Sequence, residues 1–154
     1  MSESVEQKSF WMGQFEATFP ANKLYTTNHM WAEPVGDERY RFGLTSYAVR
    51  LLQDVYFLDF TIEPGMPLTR RQQLGSIESK KAESDLFAPT AGCVVEVNQN
   101  AIDDPSIINA EVYGGGWLFT LKPTSKDDLL DVEAYLVHLN DAWEVAQRTI
   151  KGQI

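Results

Sequence analysis

The side chains able to do chemistry in this chain are few and scattered. Cysteine occurs once, at Cys93, and histidine twice, at His29 and His138. Zinc sites draw on Cys, His and carboxylates, with Cys and His supplying almost all structural sites, so three such residues far apart in sequence argue against a zinc centre. The chain contains no G-x-S-x-G, no H-E-x-x-H and no G-x-x-x-x-G-K-[ST] phosphate cradle. The run Gly114-Gly115-Gly116 lacks the lysine and the following helix of a phosphate loop, and reads as a turn before a strand. His29 has no Ser, Cys or Asp constellation beside it and reads as a packed or surface histidine. His138, between Val137 and Leu139, carries no partner signal. Cys93 falls where a small apolar residue suits a strand's core face, which predicts a buried, inert thiol. Asp103, Asp104, Asp127, Asp128 and Asp131 read as helix-start charges favoured by the macrodipole. What remains is a pair of amines, Lys80 and Lys81, interrupting an apolar pattern. Taken without their flanks, they are solvated turn residues guarding a sheet edge. Nothing here describes a self-contained enzyme.

The elements that must position those lysines are strands. Gln72 to Ser79 on one side, and Leu86-Phe87-Ala88-Pro89 on the other, read as a hairpin with the lysines at or beside its tip. Before it, Arg39 to Leu44 alternates polar and apolar residues, Thr45 caps a short helix carrying Ala48, Leu51 and Leu52, and Asp54 to Ile62 is an aromatic, β-branched core strand ending at Pro64-Gly65. After it come a strand over Gly92 to Val97 and a brief helix opened by Asp104-Pro105 and ending near Asn109. Trp117 to Lys122 is the last strand. From about Ser125, Leu129, Val132, Leu136, Leu139, Trp143, Ala146 and Ile150 recur at three- and four-residue spacings on one stripe of a long helix, which Asn140-Asp141 could divide. The segment before residue 25 mixes charge with Phe10, Trp11, Met12, Phe15 and Phe19, too apolar to be wholly solvated, so part of it should dock.

Composition bounds the function. With 154 residues, 44% hydrophobic and 23% charged, the chain suits one globular domain with a core that needs no disulfide, and a single cysteine can form none within the chain. Its 13 basic against 22 acidic residues give a net charge of -9, which disfavours sequence-independent binding to nucleic acid or to an anionic membrane surface. No apolar run approaches the roughly 18 to 20 residues of a membrane span. The polar, acidic start (Met1 to Glu6) is unlike a secretory or organellar leader, so the expected location is cytoplasmic.

One stretch stands apart: Glu78-Ser79-Lys80-Lys81-Ala82-Glu83-Ser84-Asp85-Leu86-Phe87-Ala88-Pro89, then Gly92 and Cys93-Val94-Val95-Glu96-Val97-Asn98. It resembles the lipoylation hairpin of the glycine cleavage system H protein family, E-S-V-K-A-x-S-D-L-Y-A-P followed by S-G-x-V-V-E-V-N. Flanking matches continue in order: Tyr25, His29-x-Trp31, Gly43-Leu44-Thr45-Ser46-Tyr47-Ala48, Asp104-Pro105, Ile108-Asn109, Tyr113-Gly114-x-Gly116-Trp117-Leu118, and Leu129-Leu130-Asp131-x-Glu133-x-Tyr135. The likeness spans roughly Tyr25 to Tyr135. Lys80 stands where the family has valine, Glu83 where it has a small residue, Met30 where it has glutamate, and Cys93 at a position usually polar.

The resemblance implies a mainly β fold with a C-terminal helix, a hybrid barrel-sandwich (lipoyl/biotinyl-like) of two antiparallel sheets. It divides the chain into an N-terminal extension (1–24), a lipoyl-carrier domain (25–123) and a C-terminal helical segment packed on it (124–154). It implies a non-enzymatic shuttle whose lipoic acid, joined by an amide to Lys81, forms a swinging arm, with Glu78 recognised by the lipoylating enzyme. The implied partners are a pyridoxal-phosphate glycine decarboxylase that loads an aminomethyl group, an aminomethyltransferase that takes it, dihydrolipoamide dehydrogenase, and a lipoate ligase or octanoyl/lipoyl transferase. One alternative keeps the lipoyl-lysine and changes the cargo to sulfur-compound oxidation or octanoyl/lipoyl relay. Another is an unmodified protein-interaction module.

Overall fold

The computed structural model of the protein describes residues 5–152; the first four residues of the acidic start lie outside the described residues. Two strands, β1 (Gln7–Met12) and β2 (Phe15–Pro20), open the chain as a hairpin. They are followed by β3 (Leu24–Tyr25), β4 (Met30–Pro34), β5 (Tyr40–Leu44), helix α1 (Ser46–Leu52) and β6 (Val55–Phe60). Then come β7 (Pro67–Leu68), β8 (Gln73–Ser79), β9 (Glu83–Phe87) and β10 (Gly92–Val97), the short helices α2 (Gln99–Asp103) and α3 (Ile107–Ala110), strand β11 (Phe119–Pro123) and helix α4 (Val132–Gly152).

Two antiparallel sheets enclose the main core. One has six strands in the order β3-β4-β5-β11-β10-β7, the other three in the order β6-β8-β9. Phe42, Phe119, Leu121 and Val94 from the first meet Leu58, Ile77 and Leu86 from the second, all buried. This is the barrel-sandwich that the resemblance implies, with β1–β2 as a further two-stranded sheet. Close approach of β6 and β8 depends on Gly75, where a Cβ would lie 2.0 Å from the Asp59 carbonyl oxygen. Alternation explains why the middle strands are legible: in β8, Gly75, Ile77 and Ser79 turn inward while Ser76 and Glu78 are only half-buried, and Leu74 is also buried at the register shift between Gln73 and Gly75.

A second core lies between the N-terminal hairpin and the C-terminal helix. Met12, Ala17 and Phe19 from β1–β2 pack with Tyr25, Trp31 and Tyr47 and with Val132, Tyr135 and Leu139 of α4. Tyr25 and Tyr135 stack with centroids 4.9 Å apart, and Phe19 meets both rings edge-on. Of the apolar residues expected to dock, Met12 and Phe19 are buried and Phe10 and Phe15 half-buried, whereas Trp11 is 58% exposed.

Several expectations are corrected. The long helix begins at Val132 rather than near Ser125, because Leu130 exchanges two backbone hydrogen bonds with Tyr25 (2.7 and 2.8 Å) and so belongs to the sheet edge. Asp131 then caps it, accepting the Ala134 N–H at 2.8 Å. Helix α4 runs unbroken through Asn140-Asp141, and the Ile150 side chain of the expected stripe lies outside the described residues. Asp127 and Asp128 are not helix-start charges; Asp128 instead accepts from Thr90 Oγ1 at 2.9 Å and pairs with Arg70 at 3.4 Å. Asp103 closes α2 rather than opening a helix. The brief helix after Asp104-Pro105 starts at Ile107, with Asp104 accepting from the Ser106 N–H and hydroxyl. The last strand starts at Phe119, two residues after Trp117. Among the described residues no helix is long and apolar enough to cross a membrane.

Candidate functional site

Strands β8 and β9 pair with Glu78 opposite Glu83, and the chain reverses through Lys80-Lys81. The Ser79 N–H donates to the Ala82 carbonyl at 2.8 Å; the Ser79 hydroxyl donates to that carbonyl (3.1 Å) and accepts from the Ala82 N–H (3.2 Å). Ser79 is buried and both lysines are exposed. Among the described residues neither lysine side chain enters an ion pair. An amine free of a carboxylate partner is open to an acylating enzyme.

The tip is also fixed from outside. The Lys80 N–H donates to the Asp54 carbonyl at 2.9 Å and the Lys81 N–H to the Leu52 carbonyl at 3.3 Å. Leu52 is the last residue of α1, and Asp54 lies in the connection from it to β6. That connection is itself pinned, because Asn109 of α3 accepts the Val55 N–H at 2.9 Å and donates to the Gln53 carbonyl at 2.8 Å. The sequence marks Asn109 only as part of a matching flank; its bridging role depends on a contact 54 residues away and has no local signal. Glu78, half-buried on β8, lies opposite Phe57 of β6 as well as Glu83, so its carboxylate shares an outward face with them beside the loop.

A cleft of about 320 Å³ opens between α1 and β9. Met30, Leu44, Ala48, Leu52, Ile77 and Leu86 give it an apolar lining, with Asn28, His29, Ser84 and Asp85 as its polar groups. It reaches the tip through Leu52, whose carbonyl holds Lys81.

The two histidines, 109 positions apart, come together, with ring centroids 5.5 Å apart. His29 has a left-handed backbone (φ 68°). The Tyr135 hydroxyl lies 2.9 Å from both His29 Nδ1 and Thr45 Oγ1, and Thr45 caps α1. His29 is thus a packed histidine; burial, and secondarily the neighbouring His138, pull its pKa down to about 4. Burial pushes the Tyr135 hydroxyl well above its usual value. His138 does have a partner, its Nε2 lying 3.0 Å from the Thr27 carbonyl. Cys93 is exposed, not buried, because its neighbour Val94 takes the inward position on β10. Gly114 to Gly116 form a turn, with the Gly116 N–H donating to the Glu111 carbonyl at 2.8 Å. Among the described residues no group of three or more His, Cys, Asp or Glu could hold a metal ion.

A β body that offers an exposed amine on an externally braced turn is suited to present a group and leave the chemistry to others. A family model described as glycine cleavage H-protein matches residues 23–148. A glycine cleavage system H protein from Bacteroides fragilis is 42% identical over 125 residues, covering 79% of this chain and 98% of that protein. One from Escherichia coli O7:K1 is 38% identical, covering 79% and 96%. A crystal structure of a glycine cleavage system H protein from Mycobacterium marinum superposes with a TM-score of 0.70 at 36% identity, over 79% of this chain and 99% of that one. The chain belongs to the glycine cleavage H-protein family. It is a lipoyl carrier of the glycine cleavage system, not an enzyme, and it works with the system's other components.

Proposed function

We propose that Lys81 is the residue that carries the lipoyl group. Alignment with the E-S-V-K-A pattern selects Lys81 over Lys80, and the state of the tip supports it: an exposed lysine, unpaired among the described residues, whose own backbone N–H is tied to Leu52. A fixed base and a free amine are what a modifying enzyme requires. When bound, the group supplies a dithiolane that undergoes disulfide reduction and exchange and carries the aminomethyl unit. The protein's residues do the rest. Ser79 closes the loop, Leu52 and Asp54 hold its backbone, and the apolar wall of Met30, Leu44 and Ile77 would shelter the hydrocarbon stem from water. Glu78 is the feature that the lipoylating enzyme reads, a carboxylate set on the rigid strand just before the loop.

In this reading residues 25–123 form the carrier unit, 124–154 its packed helix and 1–24 an addition to it. The protein works in the cytoplasm. Its partners are the pyridoxal-phosphate glycine decarboxylase, the aminomethyltransferase and dihydrolipoamide dehydrogenase, with a lipoate ligase or octanoyl/lipoyl transferase installing the arm. The net charge of -9 favours transient, salt-sensitive docking on basic surfaces.

The test is modification by a lipoate ligase in vitro, read by intact and peptide mass. Lys81→Ala abolishes attachment, Lys80→Ala keeps it, and Glu78→Ala lowers kcat/KM with Lys81 still the acceptor. Attachment to Lys80 in the unaltered chain, or equal loss in both lysine variants, would refute the assignment.

A further inference from the structure

The β1–β2 hairpin lies outside the residues that the family model matches. Relatives are spanned almost end to end by 79% of this chain, so the shared fold does not account for it. Its contacts do. The hairpin meets α1 at both ends. At the first turn, the Phe10 ring lies edge-on to Tyr47, centroids 6.4 Å apart. Beside it one phenol makes a bridge: the Tyr113 hydroxyl accepts the Ser46 N–H at 3.0 Å and donates to the Thr18 carbonyl of β2 at 2.6 Å. At the last turn, the Arg50 guanidinium lies 4.4 Å from the centroid of the Phe15 ring.

Helix α1 has only seven residues, too few to hold its own ends in place. Its C-cap, Gln53, has a positive φ (64°) with an extended ψ of -147°. The residues on either side of that cap, Leu52 and Asp54, supply the carbonyls that accept the Lys81 and Lys80 N–H groups. Asn109 steadies this turn from α3; from β2, Phe15 reaches Arg50, two residues before Leu52.

We propose that the β1–β2 hairpin is a positioning element for the lysine tip: by gripping α1 at both ends it fixes the carbonyls of Leu52 and Asp54, and through them the Lys80-Lys81 backbone. Phe15 and Arg50 are its positioning residues at the end nearer the tip. The inference rests on the carrier reading for the purpose of the tip and on these hydrogen bonds and ring contacts for its geometry.

Amide hydrogen exchange on the full chain, followed residue by residue by NMR, separates positioning from bulk stability. Phe15→Ala and Arg50→Ala should each speed exchange at the Lys80 and Lys81 N–H by about fivefold or more, while Leu121 in β11 changes less than about twofold. Phe15→Tyr, which keeps a ring against Arg50, should match the unaltered chain. In ligase assays both alanine variants should lose kcat with KM for the chain unchanged. Should Phe15→Ala not fold, Arg50→Ala, made at an exposed position, carries the test. Unchanged exchange at the tip in Arg50→Ala overturns the proposal, as does a uniform acceleration that includes Leu121. If the ligase leaves the unaltered chain unmodified, the carrier reading of Lys81 fails, and the exchange result still decides this one.

Discussion

Hairpin β1–β2 reverses through Gly13-Gln14, with Met12 opposite Phe15, and hairpin β8–β9 reverses through Lys80-Lys81, with Ser79 closing on Ala82. The first connection has two residues and the second three, and they are held differently. Gly13 adopts φ 65°, as a type II′ turn requires at its first central residue, and such turns match the twist of the flanking strands unaided. Neither lysine has a positive φ, and for a residue with a Cβ the left-handed conformation costs roughly 1–2 kcal/mol. The second turn is therefore shaped from outside, by the Ser79 side chain and by the carbonyls of Leu52 and Asp54. A loop that must present lysines cannot give a position to glycine, so the fold around it supplies the constraint. The first hairpin buries Phe19 and half-buries Phe10 and Phe15, leaving Trp11 exposed; the second keeps an outward, charged face.

Substitution at Gly75 should have the largest effect on the second hairpin. Gly75→Val would drive a side chain into the Asp59 carbonyl, 2.0 Å from the Cβ position, separating β8 from β6. It should cost more than about 3 kcal/mol in denaturant melts. Acid should loosen the other hairpin's side of the molecule. The folded-state pKa of His29, about 4, lies below its ordinary 6.5, so the unfolded chain binds the extra proton first. Stability is then full above about 6.5 and falls as pH drops from 6.5 towards 4. Thermal melts across this window should show the loss, and His29→Asn, which tolerates the left-handed backbone, should flatten it. Turn chemistry sharpens the contrast. Gly13→Ala should cost about 1 kcal/mol, because alanine resists φ 65°, whereas Lys80→Ala should stay within about 0.5 kcal/mol. The smallest effect is a gain. Glu78 and Glu83 face each other as like charges across β8–β9, so Glu83→Ala should raise stability by about 0.2–0.5 kcal/mol at low salt and less at high salt.

Much of the carrier could be read from the sequence, because its strands are long enough to alternate. β5, β6, β8 and β10 fall where their patterns put them, and the lysines stand at the tip between them. Short strands escaped: β3 has two residues, too few for any period, and β4 is buried at Met30, Trp31 and Ala32 in succession and so shows no alternation. Residues 126–131 carry the apolar spacing of a helix, but pairing with Tyr25 claims Leu130 for the sheet. The second core was hidden for the same reason. Its members, from Phe19 to Tyr135 and Leu139, come from opposite ends of the chain, and only the tertiary fold unites His29 with His138. Cys93 shows the limit of reading one residue at a time: which of two neighbours faces inward is set by strand register.

The most direct test of the central claim is peptide mass spectrometry of the protein isolated from its native source. The account predicts a lipoyl group in amide linkage on Lys81, with Lys80 unmodified. A lipoyl group on Lys80, or a chain that works in glycine cleavage with Lys81 bare, would contradict it.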